Sequence, residues 1–225
     1  MLISQFCHAK EPENWKLVKH DRKKGIEIYL RVLSDGNIEF KGITYIKTSL
    51  NSIVALFEDT DSLHKWLYKT KKVTILKRLN DKENYVYSIH NMPFLFSNRD
   101  SIVHTTVAQD PESYTVTIRG KATPDYLPEK KGFVRVRQVE SFWRFEPQEN
   151  GNVRIVFQGY GDPGGKIRIW AALKIEIEMV HINDHLGIFR HIKPGCQGVD
   201  GSPFGGLPRI GWILIDPWNA VAAGK

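Results

Sequence analysis

Val153-Arg154-Ile155-Val156-Phe157-Gln158-Gly159-Tyr160 leads through Gly161-Asp162-Pro163-Gly164-Gly165 into a run in which Ile175, Met179, Ile182, Leu186 and Phe189 recur. Their spacings of four, three, four and three residues decide the fold. The first segment reads as a strand and the second as a sharp turn, with glycine permitting positive φ and proline stiffening the chain. The last segment has a single apolar stripe of helical period. Lys174, Glu176, Glu178, His181, Asn183 and Asp184 occupy its other faces. The spacing predicts a helix from Lys166 to Ile192, stopped before Pro194-Gly195.

Upstream of this stretch the pattern is mostly strand. Gly25 to Val32 alternates at period two, Asp35-Gly36 is a hairpin signal, and Ile38 to Ile46 reads as the partner strand. Ser49 can cap a short helix whose Leu50, Ile53, Val54 and Phe57 share a face. Lys72 to Leu79 and Asn84 to Asn91 flank the turn Asn80-Asp81-Lys82-Glu83. Ser101 to Val107 and Tyr114 to Ile118 flank Asp110-Pro111, and Val134 to Phe145 reads as one long strand before Val153 to Tyr160. Near the start, Glu11 to Lys19 is predicted as a short helix with Pro12 in its first turn. Strands joined by short polar turns imply an antiparallel meander. The fold class is therefore α+β: a curved antiparallel sheet wrapped around a long C-terminal helix that covers its apolar face. The expected organisation is a lead-in over 1–14, one domain over 15–193, and a Gly/Pro-rich tail over 194–225 that is poorly ordered.

Composition narrows the function classes. The 225 residues suit one domain, and no apolar run approaches the length of a bilayer span. Met1 to Lys10 lacks the basic and apolar regions of a signal peptide. Cys7 and Cys196 lie near opposite ends and no Asn-x-Ser/Thr sequon occurs, so a cytoplasmic setting is expected. A net charge of +7 favours anionic partners. Lys65, Lys69, Lys71, Lys72, Lys77 and Arg78, interleaved with Trp66 and Tyr68, suit transient contact with an anionic membrane surface, or form a solvated face. No recognition helix or motif supports a nucleic-acid partner.

Few residues carry recognisable chemistry. His181 and His185 stand four apart on the predicted helix without an obvious third zinc ligand, and polar-face histidines explain them as well. Gly159-x-Gly161-x-x-Gly164 matches a dinucleotide fingerprint only literally, because no βαβ unit surrounds it. No metal, cofactor or nucleophile arrangement stands out. His104, on a strand, either hydrogen-bonds a ligand or is an ordinary histidine. Arg135 and Arg137 alternate with Val134 and Val136, so Arg135 grips a phosphate if its face is inward and is surface charge if outward. Tyr87, Trp143 and Phe157 are large and pack a core or line a void.

Five blocks then occur in order: Lys65-Trp66; Met92-Pro93-Phe94-Leu95-Phe96-Ser97-Asn98-Arg99-Asp100; Gly132-Phe133-Val134-Arg135-Val136; Trp143-Arg144-Phe145-Glu146-Pro147; and Asp162-Pro163-Gly164-Gly165. Over residues 15 to 193 this resembles the START (steroidogenic acute regulatory protein-related lipid transfer) family. The resemblance implies a helix-grip fold with an internal apolar cavity for one hydrophobic lipid, serving as a non-enzymatic, monomeric carrier or sensor at membranes. The expected lipid-binding residues are Tyr87, His104, Arg135, Trp143, Phe157 and Met179; Arg99, Asp100, Asp162, Gly164 and Gly165 are expected to be structural. His104-Thr105-Thr106 stands where sterol-binding members tend to carry a buried arginine, and Arg168 stands near a usual proline, so a lipid is better supported than a sterol. The competing reading is an enzyme on a helix-grip scaffold, a cyclase or hydrolase acting on a hydrophobic small molecule.

Overall fold

The computed structural model describes residues 14–23, 25–67, 69–92 and 95–162. The described strands are β1 (Lys16–Asp21), β2 (Ile26–Val32), β3 (Ile38–Lys47), β4 (Thr70–Asn80), β5 (Glu83–His90), β6 (Asn98–Gln109), β7 (Val116–Ala122), β8 (Phe133–Arg135), β9 (Gln138–Pro147) and β10 (Asn152–Asp162). Helices α1 (Leu50–Glu58) and α2 (Thr60–Trp66) join β3 to β4, and a 3-10 turn spans Pro124–Tyr126. The expected helix over 166–192, the tail, and with them Met179, Gly164, Gly165, His181 and His185, lie outside the described residues.

Alternation dictates the strands. In β2, Ile26 and Ile28 are buried while Glu27 and Tyr29 face the other way. The β2–β3 turn follows its signal: Gly36 adopts φ 83° and Asp35 accepts from the Asn37 backbone N–H. Ser49 caps α1 by accepting from the Ser52 N–H, and Asp59 caps α2 by accepting from the Ser62 N–H.

The sheet runs in the order β1-β2-β3-β10-β9-β7-β6-β5-β4, with β8 paired in parallel to β6. This corrects the simple meander in two respects. The last strand, β10, inserts between β3 and β9, so the chain leaves mid-sheet at β3 and resumes at the far edge in β4. Val134 to Phe145 is two strands, because Arg135 is drawn into a buried ion pair and the Val136 N–H donates to the Asp100 carbonyl. The short helix expected up to Lys19 is replaced by strand β1, paired to β2 through a bulge between Leu17 and Lys19. Its pairing with β2 and the seating of Trp15 between the Arg31 guanidinium (4.5 Å) and the Lys41 ammonium (4.3 Å) outweigh the weak helical signal.

Curvature follows from the core. One buried cluster joins Leu50, Ile53, Val54, Leu56 and Leu63 of the helices to Val73 on β4, Val116 and Ile118 on β7, Phe145 on β9 and Val153 and Ile155 on β10, with Ile46 of β3 packed against it. From β3 to β4 are seven neighbouring strands, about 29 Å across if laid flat. A helix is only about 10–12 Å wide, so reaching both ends requires the sheet to curl around the helices. Gly159 lies where strands crowd: a Cβ there would stand 2.5 Å from the Glu140 carbonyl oxygen. Among the described residues no helix is long and apolar enough to cross a membrane.

Phe145 is fully buried at the centre of this cluster. Phe145→Ala is expected to lower stability by about 3–5 kcal/mol, whereas Val32→Ala, at an exposed strand end, changes it by less than about 0.5 kcal/mol. Urea denaturation of both variants checks this.

Candidate functional site

Register assigns every strand residue to one of two faces. The face packed by α1 and α2 is the concave one. On it Phe157 lies opposite both Trp143 and Gly42, and Gly159 lies opposite both Phe40 and Ser141. Trp143 and Phe157 stack with centroids 3.9 Å apart and planes at 13°; Phe40 meets Phe157 edge-on at 4.9 Å, and Phe57 of α1 meets Trp143 at 5.2 Å. Ile26, Ile28 and Leu30 extend this apolar wall along β2. Between Ile26, Gly42, Thr44, Trp143, Ile155 and Phe157 lies an apolar recess of about 10 Å³. Trp143 and Phe157, two of the expected lipid-binding residues, are therefore brought together.

Farther along the same face, on β4 to β6, the chemistry turns polar. Ser101 lies opposite Ser88, and Arg99 opposite His90. His90 is held at both ring nitrogens: Nδ1 is 3.3 Å from Thr70 Oγ1 and Nε2 is 3.3 Å from Ser101 Oγ. Thr70, Arg99 and Ser101 are buried. Arg99 donates to the Ser97 carbonyl. Loss of hydration pushes the His90 imidazole down to about 4, against the opposing pull of Asp100. No local pattern announces this cluster, because Thr70 and Ser101 lie 20 and 11 residues from His90 and only register unites them.

Tyr87, His104 and Arg135 do not join the aromatic pair; they lie on the convex face. Arg135 fills all five of its N–H donors with protein oxygens. Nε and Nη2 grip the two Asp100 oxygens at 3.0 Å each. Nη1 donates to the carbonyls of Pro124 and Leu127, and Nη2 also to that of Pro128. A guanidinium so committed has no donor left for a phosphate. Tyr87 donates to Asp100 at 3.1 Å, and burial, then the Asp100 charge, raises its phenol. The hydrogen bonds that Arg135 donates to Asp100 raise its guanidinium above its ordinary value. Residues 123–137 thus form a strap over the convex face, fastened inside by Arg135 and outside by Arg137, which reaches Asp125 at 3.2 Å and Glu129 at 2.6 Å. Arg135 is inward yet turned from the concave face, an arrangement outside the two expected alternatives. His104 pairs with Glu83 at 2.7 Å and stacks on Tyr85, which also stacks on Tyr126. Asp100, expected to be structural, is ion-paired with Arg135, and Asp162 is exposed at the end of β10.

At one end of the sheet the loop before β6 exposes Leu95 (85%) and Phe96 (40%). Its base is tied to two lysine-bearing segments: the Asn91 N–H donates to the Lys69 carbonyl, and Asn98 pairs with Phe133, which follows Lys130 and Lys131. Lys65, Lys71, Lys72, Lys77 and Arg78 are exposed as well.

His90 makes stability depend on pH. Its folded value near 4 lies below the ordinary 6.5, so the unfolded chain binds the extra proton between these values. The contribution is complete above about pH 6.5 and is lost as pH falls toward 4, up to about 3 kcal/mol in all. His90→Gln is expected to show a smaller drop in urea midpoint between pH 7.5 and pH 4.5 than the unsubstituted chain, whose carboxylates titrate alike in both.

The architecture has known counterparts. A model of the START domain matches residues 8–170. The chain is 32% identical over 161 residues to an uncharacterized protein of Pseudomonas aeruginosa, covering 71% of this chain and 78% of that protein. It is 28% identical over 165 residues to the phosphatidylcholine transfer protein of Rattus norvegicus, covering 70% and 74%. A crystal structure of a STAR-related lipid transfer protein fragment from Xanthomonas axonopodis is similar with a TM-score of 0.70 and 29% identity, over 78% of this chain and 98% of that one. A curled antiparallel sheet that grips helices on an apolar concave face, together with a family match over most of the chain, leads to one conclusion: the chain belongs to the START domain family.

Proposed function

We propose that this START domain is a non-enzymatic carrier that encloses one amphipathic lipid against its concave face and exchanges it at an anionic membrane. The supporting observation is the gradient of chemistry along that face. Phe40, Trp143 and Phe157 offer a wall for acyl chains, and Thr70, His90, Arg99 and Ser101 offer polar groups at the β4–β6 end. Apolar burial gives roughly 25 cal/mol per Å² removed from water, so a chain laid on the aromatic wall is held without covalent chemistry. The polar end orients the ligand, since the ligand's own polar group, once buried, needs a hydrogen-bond partner. The names of the related rat and Xanthomonas proteins describe lipid transfer, which agrees with this reading.

Membrane contact follows from the loop tip. Leu95 and Phe96 project into water beside segments rich in lysine. An exposed apolar tip with flanking cations matches an anionic interface, where each basic residue near the surface contributes about 1 kcal/mol.

Gently purified protein is expected to show in native mass spectrometry a bound mass of a few hundred daltons, about one per chain. Only empty protein that also ignores vesicles contradicts the proposal. Leu95→Glu is expected to reduce co-sedimentation with phosphatidylserine-containing vesicles at least roughly fivefold without changing thermal stability, since its site is exposed. Unchanged co-sedimentation removes the loop from the docking surface.

A further inference from the structure

The polar end of the concave face is more specifically built than the capture of acyl chains requires. Thr70 and Ser101 are 7% and 5% exposed, and each places its hydroxyl 3.3 Å from one nitrogen of the same imidazole. His90 is the sole hydrogen-bond partner of the Ser101 hydroxyl among the described residues. A serine hydroxyl has one donor and two acceptor sites, so one contact leaves capacity unused.

The imidazole governs what that capacity is. Arg99 lies directly opposite His90 on the same face, and loss of hydration on burial keeps the ring neutral. Asp100, whose charge pulls the ring the other way without overcoming burial, points to the other face and pairs with Arg135. A neutral imidazole carries one N–H. With the proton on Nε2, the ring donates to Ser101, whose own hydrogen then points to a ligand acceptor. With the proton on Nδ1, the ring donates to Thr70 and accepts from Ser101, whose lone pairs then accept from a ligand donor.

We propose that Ser101 is a specificity-determining contact for an uncharged oxygen at the polar end of the lipid, an ester carbonyl or a hydroxyl, with His90 as its positioning residue. This rests on the carrier reading above and adds a site to it. Ser101 touches the ligand; His90 and Thr70 set the direction of its hydrogen bond.

The test uses the full chain and three lipids with matched hydrocarbon tails offered in vesicles: diacyl phosphatidylcholine, its dialkyl ether analogue, which lacks the carbonyls, and dialkylglycerol, which has a hydroxyl but no carbonyl. Bound lipid is quantified by native mass spectrometry under pairwise competition. The unsubstituted chain is expected to favour diacyl phosphatidylcholine or dialkylglycerol over the ether analogue by roughly tenfold, the scale of one buried hydrogen bond. Preference for the first identifies a carbonyl and preference for the last a hydroxyl. Ser101→Ala is expected to bring the ratio within about twofold while total lipid occupancy persists, and Ser101→Thr to preserve it. Thr70→Val, which removes the orienting hydroxyl, provides a second variant should Ser101→Ala fail to fold, and is expected to reduce the same ratio. An unsubstituted chain that loads all three equally, or a Ser101→Ala or Thr70→Val chain that keeps the full preference, overturns the inference and leaves the carrier reading intact. A chain that takes up none of the three overturns both.

Discussion

The buried ion pair between Asp100 and Arg135 holds β6 in one register, and the arrangement of both faces depends on it. Each side chain is 1% exposed, and the two are joined by parallel hydrogen bonds of 3.0 Å. A pair of this kind adds little net stability over an apolar substitute, but losing one partner typically costs about 3–5 kcal/mol because the other charge is stranded. Its consequence is geometric. Successive β residues point to opposite sides, so fixing Asp100 toward the strap fixes Arg99 and Ser101 toward the concave face. A slip of one residue would exchange the two sets and break the His90 contact.

The two faces then divide the work. The convex face is structural here: the strap covers Tyr87 and Ile102, and Arg135 gathers the carbonyls of Pro124, Leu127 and Pro128. The concave face is graded from aromatic to polar. The loop before β6 links this face to the outside, since the strand that carries Arg99 and Ser101 begins where the exposed Leu95 and Phe96 end.

Much of this was legible in the sequence, for physical reasons. Ser49, Asp35-Gly36 and the period-two runs act locally, and each formed the element its chemistry dictates. Trp143 and Phe157 stand out by size, and their pairing follows once β9 and β10 form a hairpin. Non-local pairing was hidden. Nothing near Val153 announces that β10 inserts beside β3, and the partner of Arg135 lies 35 residues away. The direction of Tyr87 and His104 was hidden too, because β5 and β6 bury apolar residues on both sides: Val86 packs toward the helices while Ile102 packs under the strap. His90 escaped notice because its meaning lies in two hydroxyls on neighbouring strands.

The most direct measurement of the central claim is photo-crosslinking with a phosphatidylcholine that carries a diazirine on its acyl chain, mapped by peptide mass spectrometry. Lipid held on the concave face places the label on Phe40, Trp143, Phe157 and their β2 neighbours and spares the convex Tyr85 and His104. Labelling confined to the convex face, or none above that of a soluble control protein, would contradict the account.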